Sequence, residues 1–168
     1  MTDIGSLKVT ASGDRDIRMT RVFDAPRRLV FDAFTRPELL KRWLLGPQGW
    51  EMVVCQVTTE VGGRYRYEWR NTDGAQFGVG GVCREFVPPE RIAATEAMDG
   101  YPTEYSVTMD LVELHGKTTL TTTLLYDSRE DRDAALKSGM ERGVAASYDR
   151  LDEVLASRVA QAKSQGSV

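Results

Sequence analysis

Arg64-Tyr65-Arg66-Tyr67-Glu68-Trp69-Arg70 alternates charged and aromatic residues without a break. A period of two sends the aromatic side chains to one side of a pleated strand and the charged ones to the other, so the stretch predicts a strand with one buried face. Gly62-Gly63 before it and Asn71-Thr72-Asp73-Gly74 after it supply turns. Similar runs lie on both sides: Met52 to Thr59 upstream, and Phe77 to Val87, Ile92 to Met98, Tyr105 to Leu114 and Thr118 to Tyr126 downstream. Six consecutive strand-like runs joined by short turns predict an antiparallel meander.

Outside the meander the pattern changes. Leu7 to Ala11 and Ile17 to Phe23, around Ser12-Gly13-Asp14, read as a hairpin or a bent strand. Pro26 behind an Asp24 cap opens a helix in which Leu29, Val30, Ala33 and Phe34 recur at helical spacing. Thr35-Arg36-Pro37-Glu38 reads as a capping box for a second short helix that ends near Trp43, before Gly46-Pro47. At the other end, Ser128 with Asp131 caps one long helix in which Leu136, Met140, Val144, Ser147, Leu151, Val154 and Leu155 form a stripe. Residues 1–157 make a single domain, and 158–168 lose the pattern and are expected to fray.

A curved antiparallel sheet with one apolar face needs a cover, and the long C-terminal helix is the only element large enough. The predicted class is α+β, in the order β, α, α, six β, α. The Met52 strand should lie at one edge, and the N-terminal strand should pair beside the Leu120 strand.

Composition narrows the function. The chain has 168 residues and a formal net charge of −3, which gives no basic footprint for nucleic acid or an anionic membrane. Its apolar runs are too short to span a bilayer, and Met1-Thr-Asp-Ile-Gly5 lacks the features of a signal peptide, so a cytoplasmic location is expected. Cys55 and Cys83 should fall on strands separated by the Tyr65 strand, too far apart to bridge, and both thiols should be free. His115, the single histidine, sits in a Leu114-His-Gly-Lys117 hairpin turn. A catalytic triad or a two-histidine zinc motif is therefore ruled out, and neither a metal nor a cofactor is predicted. Gly78-Val79-Gly80-Gly81 lacks the third glycine of a dinucleotide fingerprint and continues as a strand.

The order of elements is that of the helix-grip fold. The stretch Ile17-Arg-Met-Thr-Arg-Val-Phe-Asp-Ala-Pro-Arg-Arg-Leu-Val-Phe-Asp-Ala-Phe34 resembles the SRPBCC (START-like, Bet v 1-like) superfamily. More narrowly it is similar to the branch named after the activator of heat-shock-protein-90 ATPase. Arg42-Trp43 with Gly46-Pro47, Val61-Gly-Gly-Arg-Tyr-Arg-Tyr67, Val87-Pro-Pro-Glu-Arg-Ile92, Gly139-Met-Glu-Arg-Gly143 and Ser147-Tyr-Asp-Arg-Leu151 extend the resemblance to about residues 17–155. Two stretches depart from the family pattern: Thr58-Thr59-Glu60 replaces a frequent Asp-Leu-Arg, and Cys83 replaces a common aromatic.

The resemblance implies a cavity between the sheet and the last helix, and a small hydrophobic molecule, lipid or aromatic polyketide-like, as its ligand. It also leaves open a cofactor-independent enzyme of cyclase, hydratase or isomerase type, and a co-chaperone-like interaction domain. A homodimer is compatible with any of these. The expected pocket residues are Trp43, Tyr65, Tyr67, Trp69, Phe77, Glu96, Tyr105, Met140, Gly143 and Tyr148, with Trp43 plugging the mouth. Glu96 shares a strand phase with Ile92, Ala94 and Met98 and should face inward, where with a nearby tyrosine it can do acid–base work. Glu85 is a second catalytic candidate, because one register of its strand directs Cys83 and Glu85 inward and the other directs Arg84. Arg84 with Glu96 as a purely structural ion pair is the competing assignment. Gly139 and Gly143, one turn apart on the covering helix, each cost about 1 kcal/mol relative to alanine, and either a close backbone approach or an empty volume accounts for them.

Overall fold

The alternation at residues 64–70 becomes one strand of a nine-stranded antiparallel sheet. The computed structural model describes residues 2–4, 6–101 and 103–166. In chain order the strands and helices are β1 (Thr2–Ile4), β2 (Leu7–Ser12), β3 (Asp16–Phe23), α1 (Arg27–Thr35), α2 (Pro37–Trp43), β4 (Trp50–Val57), β5 (Arg64–Asn71), β6 (Gln76–Val87), β7 (Arg91–Met98), β8 (Tyr105–Leu114), β9 (Lys117–Leu125), α3 (Arg129–Lys137) and α4 (Met140–Gly166). The sheet runs β1-β2-β3-β9-β8-β7-β6-β5-β4, so β4 is the edge of the meander and β3 pairs with β9, as the pattern predicted. The N-terminal run is a full hairpin, β2 on β3, extended by β1. His115 has φ 54° and Gly116 φ 75°, the left-handed pair that a two-residue hairpin loop between β8 and β9 requires.

The two short helices start differently from the expectation. Pro26, not Asp24, stands at the N-cap of α1, and neither α1 nor α2 has a side-chain cap. The Thr35 hydroxyl donates back to the Phe31 carbonyl (3.0 Å) instead of capping α2. Ser128 does cap its helix, accepting from the Asp131 amide at 3.0 Å.

The single long C-terminal helix is a correction. Gly139 adopts φ +77° between α3 and α4, a conformation that ends a helix and that other residues rarely adopt. Gly139 is thus the joint between two helices and not an interior cost of one. The tail is a second correction: α4 continues through the stretch expected to fray, as far as Gly166, and residues 167–168 lie outside the described residues.

The core sits at one end of the sheet. Leu7, Ile17, Phe23 and Leu120 from β2, β3 and β9 are fully buried with Val30 of α1, Leu40 of α2, and Leu151 and Leu155 of α4. Arg21 lies inside this phase of β3, 3% exposed, and donates to Asp149 (2.9 Å) and to Asp152 on α4. That ion pair ties the covering helix to the sheet.

Candidate functional site

At the other end of the sheet the inner faces of β5 to β8 do not meet α4. They enclose a cavity of about 800 Å³, closed on the far side by α2, α3 and the first turns of α4. All ten residues named as pocket candidates border it: Trp43, Tyr65, Tyr67, Trp69, Phe77, Glu96, Tyr105, Met140, Gly143 and Tyr148. Thr58, Thr59 and Cys83, where the chain departs from the family pattern, border it too. Trp43 is not at a mouth. Its ring is 1% exposed and packs edge-on against Phe34, and its indole N–H donates to the Ala33 carbonyl at 3.0 Å. Trp69 is fixed by an N–H bond to the Leu44 carbonyl (2.9 Å) and stacks on Phe77 at 4.9 Å.

The polar centre of the cavity follows from strand register. Tyr65 stands opposite Gly81, Gly81 opposite Glu96, and Glu96 opposite Tyr105, one row of side chains across β5, β6, β7 and β8. Tyr65 and Glu96 are therefore two strands apart, roughly twice the ~4.8 Å strand spacing, with a single residue between them. That residue is a glycine. A Cβ on Gly81 would stand 1.9 Å from the Thr95 carbonyl oxygen and 2.8 Å from the Tyr65 hydroxyl. Its absence lets Tyr65 reach over and donate to Glu96 Oε1 at 2.8 Å. Tyr105 donates to Glu96 Oε2 from the other side, and the Tyr126 ring stacks on Tyr105 at 5.2 Å.

Burial pushes the Glu96 carboxyl above the usual carboxylate range, and the hydrogen bonds from Tyr105 and Tyr65 pull part of the way back. The Tyr65 and Tyr105 hydroxyls are held far above the ordinary phenol value, first by burial and then by the Glu96 charge, so both remain donors at any physiological pH. Burial and the same charge push Tyr126 up to about 12. Arg84 takes no part: it is exposed, and the hydrogen-bond partners of Glu96 are tyrosines.

Glu85 is the correction among the catalytic candidates. A bulge between Cys83 and Glu85 places an extra residue in β6, which inverts the phase of the alternation beyond it. Cys83 therefore faces inward, while Glu85 points outward and pairs with Arg91 at 2.8 Å. Both cysteines are free. Among the described residues no group of three or more histidine, cysteine or acidic side chains could hold a metal.

Reading the sequence missed Tyr126, Phe34 and Asp131, which also border the cavity. Tyr126 continues the inward phase of Leu120, Thr122 and Leu124, so its signal was present. Asp131 comes from α3, whose separation from α4 had no signal beyond Gly139.

Residues 24–156 match the family described as activator of Hsp90 ATPase homolog 1-like protein. The chain belongs to that family. A protein from Rhodobacter sphaeroides of known crystal structure is similar at 30% identity, with a TM-score of 0.86 over 90% of this chain and 99% of its own. One from Chromobacterium violaceum also has 30% identity, with a TM-score of 0.70 over 83% and 96% of the two chains. One from Nitrosomonas europaea, at 23% identity and TM-score 0.78 over 89% and 99%, shares the fold. No curated protein matches the chain. The helix-grip fold of the family, which commonly binds hydrophobic ligands, is the one seen here. No helix among the described residues is long and apolar enough to cross a membrane.

Proposed function

We propose that the chain binds a small, mainly hydrophobic molecule in the cavity between the sheet and α4, with the molecule's polar group held at Glu96, Tyr65 and Tyr105. The observation that carries this reading is the cavity itself, about 800 Å³ with a mainly apolar wall and the buried Glu96 carboxyl aimed into it. Ligand pockets of this kind run to about 300–1,000 Å³ and combine an apolar lining with a few aimed polar groups. Two free thiols fit the cytoplasmic location proposed with it. Native mass spectrometry of the purified protein, together with titration by the neutral dye Nile red, tests the reading. A bound small molecule or saturable dye fluorescence at one dye per chain is expected; no adduct and no saturable dye binding would overturn it.

The raised carboxyl beside two tyrosines favours a second reading, a cofactor-independent isomerase or cyclase acting on a ketone. Glu96 would take the proton from the carbon next to the carbonyl. That protonation frees a tyrosine hydroxyl hydrogen, previously committed to the carboxylate, to donate to the developing enolate oxygen. Deuterium exchange into 2-tetralone in heavy water, followed by NMR, tests it; exchange that is equally fast with Glu96→Gln would remove the enzyme from consideration.

A further inference from the structure

We propose that the cavity selects a hydrophobic amine, a molecule of apolar bulk whose one polar end is a protonated nitrogen seated against Glu96 within the rings of Tyr65, Tyr67, Tyr105 and Tyr126. This rests on the reading of the cavity as a ligand site and adds the chemical class of the ligand.

The hydrogen inventory points this way. A carboxylate only accepts, with about four lone-pair sites. Tyr65 fills one site on Oε1 and Tyr105 one on Oε2, which consumes both hydroxyl hydrogens. With the carboxyl ionised, what Glu96, Tyr65 and Tyr105 show to the cavity is lone pairs alone, on the carboxylate and on the two phenol oxygens. A ligand carbonyl or carboxylate finds no hydrogen on these three groups, whereas an ammonium brings three donors to their unfilled acceptors.

Charge agrees with the inventory. The described residues give Glu96 no ion pair, whereas Arg21, the buried arginine of the solid end, pairs with two aspartates. A carboxyl raised by desolvation is one that an added cation would draw back to the ionised form. The other charged groups on the wall are Asp131 of α3 and Arg142 of α4, and Arg142 is exposed. The walls around Glu96 are aromatic: Tyr65 and Tyr67 lie 5.5 Å apart between ring centres, and Tyr105 stacks on Tyr126. Electron-rich ring faces around a carboxylate attract a cation and gain nothing from an anion.

Displacement of Nile red by adamantylamine, adamantanol and adamantane carboxylate, which share one apolar body, isolates the polar end. In the wild-type protein the amine should displace the dye at about one-tenth of the concentration the alcohol needs, with the carboxylate weakest. In Glu96→Gln the amine should lose its tenfold advantage over the alcohol measured in the same variant. Should that variant fail to fold, spectra of wild-type protein carrying carbon-13 in its glutamate carboxyls give the same answer: the amine should shift a carboxyl resonance that the alcohol leaves in place. An alcohol as good as the amine, or an amine preference that survives Glu96→Gln, overturns the amine assignment and leaves the binding site intact. If the dye itself does not bind, the ligand site and the amine assignment fall together.

Discussion

Around Leu151 and Leu155, α4 meets side chains that leave it 0% and 1% exposed, in one buried cluster with Leu7, Ile17 and Leu120. Around Met140, Gly143 and Ser147 the same helix faces the same sheet across a cavity of about 800 Å³. The backbone is of one kind at both ends, a helix laid on antiparallel strands. What differs is side-chain volume. The solid end packs leucines of α4 and α2 against leucine, isoleucine and phenylalanine of the sheet, whereas at the hollow end Gly143, Ala146 and Ser147 of α4 leave space between Met140, Val144 and Tyr148 and the aromatic strands. Hollowness here is a property of particular positions on α4, and substitutions can move it.

The largest expected effect belongs to the solid end. Leu151→Ala should lose about 2–5 kcal/mol in chemical denaturation, the usual result of emptying a fully enclosed leucine site. A loss below about 1 kcal/mol would mean that this end yields as easily as the other, and the contrast between them would be gone.

Gly81→Ala comes next. Its Cβ would meet the Thr95 carbonyl oxygen at 1.9 Å, so β6 and β7 must shift, with a cost of about 1–3 kcal/mol. The same methyl stands 2.8 Å from the Tyr65 hydroxyl and should push Tyr65 off Glu96. Melting together with dye titration checks both consequences. An unchanged melting temperature would show that the row across β5 to β8 is looser than its register implies.

How much of this contrast could be read from the sequence depends on which physical signal carried it. Alternation placed Tyr65, Tyr67, Trp69 and Glu96 on the inner face, because a strand without irregularities has a period of two. It misled at Glu85, where one bulged residue inverts the phase and no composition signal marks it. The pairing of Glu96 with Tyr65 and Tyr105, and not with Arg84, depends on register between strands, which a single run of residues does not contain. Arg21 stood in the inward phase of Ile17, Met19 and Phe23 and was legible as a buried charge, but its partners on α4 lie 128 and 131 residues away. Gly139 and Gly143 looked alike in sequence, and backbone conformation separates them: one breaks the helix at φ +77°, and the other continues it.

Glu96 gives the hollow end a pH signature. Its carboxyl is raised in the fold, so between the ordinary value of 4.5 and the folded-state value the native chain holds a proton that the unfolded chain has released. Stability from this group is fully present below that ordinary value and is lost as pH rises through the window, by about 1.4 kcal/mol per pH unit while one extra proton is held. Glu96→Gln has no such slope, so its melting temperature should gain on wild type from acid to neutral pH. A difference that stays flat with pH would place the carboxyl in water, and with it the floor of the cavity.

The smallest effect on stability is the most direct probe of the comparison. Gly143 borders the cavity, and a Cβ built there meets nothing within 4 Å, so close backbone approach does not account for this glycine. Gly143→Leu restores helix propensity of about 1 kcal/mol and places an apolar side chain in space that is now empty. The variant should therefore melt at the same temperature as wild type or slightly higher, which is the reverse of Leu151→Ala one end away on the same helix. Nile red binding should fall in the same protein, because the leucine takes volume from the ligand. A variant that melts clearly lower would mean that the space opposite Gly143 closes in solution, so that α4 rests on the sheet along its whole length. A variant that is stable and still binds dye at full strength would move the ligand away from α4, deeper among Tyr65, Glu96 and Tyr105.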